Sequence, residues 1–134
     1  MRRVAWILVA ILVVGLVVPQ IAGAHVSSVQ PRVKIAKNPR GATEPGERVV
    51  ISGDIRSKLV CRRARVVTLI TTTPGFEPIA EDLSNREGEF RFVLRPDNDM
   101  TVFAKIRRLV ERSNGHRHVC RGATSDDLRI NVSG

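Results

Sequence analysis

Glu89-Phe90-Arg91-Phe92-Val93-Leu94-Arg95 decides the fold of this sequence. Phe90, Phe92 and Leu94 fall on every second residue, with Glu89, Arg91, Val93 and Arg95 between them. A β-strand turns successive side chains to opposite faces, so the three large apolar groups share one face. The other face is mostly charged. Such a strand covers a core on one side and meets water on the other, as in an antiparallel sheet. Turn-forming residues bound it: Asn85 to Gly88 before, Pro96-Asp97-Asn98-Asp99 after.

The period of two continues outward. Toward the C-terminus, Val102, Ala104 and Ile106 set a strand with room to run on to Glu111. Asn114-Gly115 is a two-residue hairpin signal, because both positions accept positive φ. The return strand holds His116, His118 and Cys120; Leu128, Ile130 and Val132 finish the sheet. Toward the N-terminus, residues 77–83 make a weak edge strand, and residues 65–72 a strand with Val67 and Leu69 inward. Val49, Ile51, Gly53 and Ile55 alternate in another, and Val33 and Ile35 mark one within residues 30–36. Residues 38–47, rich in Pro and Gly, are a loop. No stretch carries a helical stripe of useful length. About seven short strands separated by turns read as all-β, an immunoglobulin-like antiparallel β-sandwich.

Ahead of this pattern, Arg2 and Arg3 precede an apolar run from Val4 to Val18, and Ala22-Gly23-Ala24 follows. That is the layout of a secretory signal. Residues 1–24 are therefore expected to be a signal peptide, residues 25–47 an N-terminal strand and loop, and residues 48–134 the rest of one domain. The competing reading keeps the leader as a membrane anchor, since Val4 to Ala24 carries no charge and is just long enough to span a bilayer. Either way the domain is expected outside the cytoplasm, secreted or associated with the cell envelope. In such a compartment Cys61 and Cys120, the only cysteines, are expected to form a disulfide. The alternative is two free buried thiols. In an immunoglobulin-like topology the connections carrying them lie at the same end of the sandwich.

The ordered pattern Ile51-Ser52-Gly53, Cys61, Arg65-Val66-Val67-Thr68-Leu69, Gly88-Glu89-Phe90-Arg91-Phe92, Phe103-Ala104-Lys105-Ile106, Cys120 resembles small secreted bacterial modules of the immunoglobulin-like or carboxypeptidase-regulatory-like (prealbumin-like) kind. The resemblance implies a sandwich without catalysis and brings no ligand site with it.

The formal charge of +9 falls to +7 without the leader, because only Arg2 and Arg3 leave. Residues 55–76 hold no acid, and residues 100–125 hold only Glu111. If the bridge joins these two segments, one end of the sandwich is strongly positive. Arg62, Arg63, Arg65, Arg108, Arg117 and Arg121 are the expected electrostatic contacts to an anionic cell-envelope polymer or another envelope protein. The bland alternative is a solvated, solubilising face. Outside the cell nucleic acid is a poor candidate, and the membrane is reached only through an uncleaved leader. Trp6 lies in the leader and Tyr is absent, which argues against stacking platforms for sugars or single strands.

Cleavage after Ala24 makes His25 the N-terminus, where its amine and ring nitrogen can chelate copper. His116 and His118 share one face of the hairpin and complete a candidate metal set with His25. The start Ala24-His25-Val26-Ser27-Ser28 resembles secreted copper-binding sandwiches of the periplasmic resistance type, although their later Asp-x-His motif is absent. The alternative is three unrelated exposed histidines. No nucleophile elbow or phosphate-cradling glycine loop is present, and no catalytic residues are expected. Asp97-Asn98-Asp99 lacks the continuing spacing of a calcium loop and reads as a turn.

Overall fold

Phe90 and Phe92 lie buried on one strand, their ring centroids 5.7 Å apart. In the computed structural model, which describes residues 26–134, that strand is β6 (Glu89–Leu94). It pairs antiparallel with β3 (Val49–Arg56), and β3 with β2 (Arg32–Asn38). Facing this sheet is a second one. There β4 (Val66–Thr71) lies between β5 (Glu77–Leu83) and β7 (Met100–Ile106), and β10 (Ala123–Thr124) and β11 (Leu128–Ile130) pair with the far edge of β7.

The core is the space between the two sheets. Val33, Val49, Ile51, Ile55, Phe90 and Phe92 reach it from the first. Val67, Leu69, Val102, Ala104, Ile106 and Ile130 reach it from the second. Each of these Val, Leu, Ile and Phe side chains contributes about 1.5–3 kcal/mol by leaving water, and Ala104 less. Gly53 occupies an inward position because the Phe90 ring covers it; a Cβ there would also stand 2.5 Å from the Lys34 carbonyl oxygen. The architecture is all-β with the expected immunoglobulin-like order: β2-β3-β6 against β5-β4-β7 and the final split strand.

Two departures from expectation concern the end of the sandwich. The strand expected to run on to Glu111 stops at Ile106. The Arg107 carbonyl there accepts a hydrogen bond from Arg65 Nη2, and the chain resumes as β8 (Leu109–Ser113) in a different sheet. β8 turns at Asn114-Gly115, both at positive φ, into β9 (His116–Cys120). Residues 26–29 form a strand with no clear sequence signal, β1 (Val26–Val29), which pairs parallel with β9. The result is a third sheet, β1-β9-β8, set beside the sandwich. It meets the body at the single turn α1 (Leu59–Arg62), where the Cys61–Cys120 disulfide closes with a Cα–Cα distance of 5.3 Å. The expected leader at residues 1–24, and His25, lie outside the described residues. Among the described residues no helix is long and apolar enough to cross a membrane.

Candidate anion-binding face

Strand alternation sorts the β1-β9-β8 sheet into two faces. Cys120 points toward α1 through its disulfide, and its rung partners Leu109 and Val29 share that side. Two residues along, Glu111, His118 and Ser27 follow, with a hydrogen bond of 2.7 Å between Ser27 Oγ and His118 Nδ1. Then come Ser113 and His116. This is the inner face, turned toward the body.

The outer face carries what remains: Arg112 and Val110 on β8, Arg117 and Val119 on β9, Val26 and Ser28 on β1. Arg112 and Arg117 are directly opposed partners, one rung from the turn. Arg121 sits just past the end of β9 and donates from Nε to Ser28 Oγ at 3.0 Å, which holds it on this face. Arg108 is exposed at the corner between β7 and β8. None of the four pairs with a carboxylate among the described residues; the ion pairs there are Arg56–Asp54 and Arg129–Asp99. Like charges directly opposed on neighbouring strands destabilise the pair. Arg112 and Arg117 are therefore held together against their own repulsion.

Of the six expected arginine contacts, the structure brings Arg108, Arg117 and Arg121 together. Arg62 and Arg63 sit on the α1 side of the sheet, and Arg62 Nε donates to the Arg86 carbonyl at 3.1 Å. Arg65 is not a surface contact at all. It is 3% exposed, and its guanidinium donates to the carbonyls of Cys61 (2.7 Å) and Arg107. Burial lowers its pKa, and the nearby charge of Glu111 pulls weakly the other way. Its place is fixed by Ser84, whose Oγ accepts the Arg65 N–H (2.8 Å) and donates to the Arg62 carbonyl (2.6 Å). The guanidinium is thus the internal tie of this corner.

Arg112 is the site residue that sequence reasoning missed. Its signal was available: a two-residue turn at Asn114-Gly115 fixes the register, which opposes Ser113 to His116 and Arg112 to Arg117. The histidines are partly gathered. His116 and His118 share the inner face as expected, and Val26, the residue after His25, is level with Arg117 between them. Among the described residues no three His, Cys, Asp or Glu side chains cluster as a metal site.

The fold and this face define a disulfide-clamped all-β sandwich with a basic side sheet. No protein-family model matches the chain, and no curated protein matches it.

Proposed function

We propose that the protein is a non-enzymatic, extracytoplasmic interaction module that binds an anionic partner of the cell envelope through Arg112, Arg117 and Arg121, with Arg108 at their base. One observation carries this reading: the opposed Arg112–Arg117 pair has no carboxylate partner among the described residues. An anion lying across it removes the repulsion, and guanidinium groups suit two-pronged contact with phosphate or carboxylate. The disulfide supports the compartment, since such bonds persist where thiols are not kept reduced. The reading also takes the chain for one of the exported immunoglobulin-like or prealbumin-like modules that its sequence resembles. The test is retention on immobilised polyphosphate. Binding should weaken steeply with salt, because it rests on screened charges. Replacing Arg112, Arg117 and Arg121 with Ser should abolish retention, while Arg62→Ser with Arg63→Ser should change it little. Undiminished retention of the triple variant would count against the reading.

A second reading, copper binding by His25 with His116 or His118, is favoured by the parallel pairing that sets Val26 beside Arg117. Calorimetric titration of the form beginning at His25 with copper(II) decides it. No heat, or equal binding by a form extended by Ala24, rules it out.

A further inference from the structure

We infer that the partner of the arginine face is an anionic phospholipid surface, an inference that rests on the proposed function and names what the same face meets. The first ground is what lies between the arginines. Val110 and Val119, both half-buried, oppose each other there, and Val26, 56% exposed, adjoins Arg117. None of the three belongs to the sandwich core or packs against it. A soluble polyanion offers these valines nothing. At a bilayer boundary the short apolar groups meet acyl chains, while the guanidinium groups stay among the phosphates.

The second ground is chain direction. β1 opens on Val26 at the tip of the sheet, one rung from the Asn114-Gly115 turn. Before it in sequence come His25 and the uncharged stretch from Val4 to Ala24. The described chain therefore begins at the same edge that carries the Arg112–Arg117 pair. Basic residues immediately beside a membrane-directed segment are attracted to anionic headgroups, and the attraction fades within a Debye length. The acids are placed elsewhere: Glu111 is on the inner face, and residues 77–99 hold seven of the others. The outer face thus approaches a negative leaflet without opposition from its own strands.

The experiment is co-sedimentation of the exported protein, as isolated, with two kinds of vesicle: phosphatidylcholine alone, and equal parts phosphatidylcholine and phosphatidylglycerol. The quantity read is the difference between the two; a retained leader adds to it through Arg2 and Arg3, so the arginine variants are compared with the unmodified protein carrying the same N-terminus. Binding should favour the mixed vesicles and fall with added salt. Arg112→Ser with Arg117→Ser should reduce the partition about thirty-fold. Val26→Ser, at an exposed position that leaves the core intact, should reduce it roughly five-fold while leaving polyphosphate retention unchanged. Thermal melting confirms that each variant is folded. Equal binding to both vesicles, or retention on polyphosphate without vesicle binding, overturns the lipid inference and leaves the proposed function standing. Loss of both kinds of binding by the unmodified protein overturns both.

Discussion

Arg65 and Arg117 show how two arginines of one basic segmental pattern take opposite roles. Arg65 is enclosed, with the carbonyls of Cys61 and Arg107 as its partners. A buried carbonyl that loses a charged donor keeps the full cost of having left water. Arg65→Ala should therefore cost about 3 kcal/mol, read as a lowered midpoint of urea unfolding. Arg117 faces water and opposes Arg112. Arg117→Glu converts a repulsive cross-strand pair into an attractive one, so stability should rise by about 0.5 kcal/mol. Retention on polyphosphate should collapse at the same time. A stable variant that no longer binds separates the role of the face from its contribution to folding. If Arg117→Glu instead unfolds the hairpin, the residue is structural and the proposed face loses its centre.

At the scale of elements, the strands readable in advance are those that bury large residues at every second position. β6 is the clearest, and Phe92→Ala should cost about 3–5 kcal/mol, read as a lowered denaturation midpoint, because the cavity it leaves lies between both sheets. β3, β4 and β7 were legible for the same reason, and β5 was visible as an edge. β1 was not. Val26-Ser27-Ser28-Val29 has no decisive period, and its support comes from β9, with Ser27 bonded to a residue 91 positions away. No local propensity encodes such a contact. The break after Ile106 was hidden too, since Arg107 and Arg108 do not interrupt the pattern and the guanidinium that bonds the Arg107 carbonyl comes from Arg65, distant in sequence. The candidate site divides along this line. Sequence located the basic segments and their joining by the cysteines, whereas burial of Arg65 and the selection of the outer face depend on tertiary placement.

For the whole molecule, the decisive relation is between the sandwich and its side sheet. The sandwich has a core of its own, but the β1-β9-β8 sheet contributes no residue to it. A few strands without a core are marginal in water, so this sheet depends on its attachment. The attachment is local: the Cys61–Cys120 bridge, and Arg65 reaching the Arg107 carbonyl. With the cysteines 59 positions apart, loss of the bridge should cost about 4 kcal/mol in the chain-entropy picture, against a typical total of about 5–15. The effect should not be spread evenly. In a Cys61→Ser, Cys120→Ser variant, amide hydrogen exchange should rise first and most in β8 and β9, and later in β3 and β6, whose protection comes from the core. Retention on polyphosphate should weaken although every arginine is still present, because Arg112, Arg117 and Arg121 would no longer be held on one surface. Exchange mass spectrometry with and without the bridge checks both parts. Equal loss of protection in β6 and β9 would mean that sheet and sandwich unfold as one unit, and the bridge would then act on global stability rather than on the presentation of the basic face.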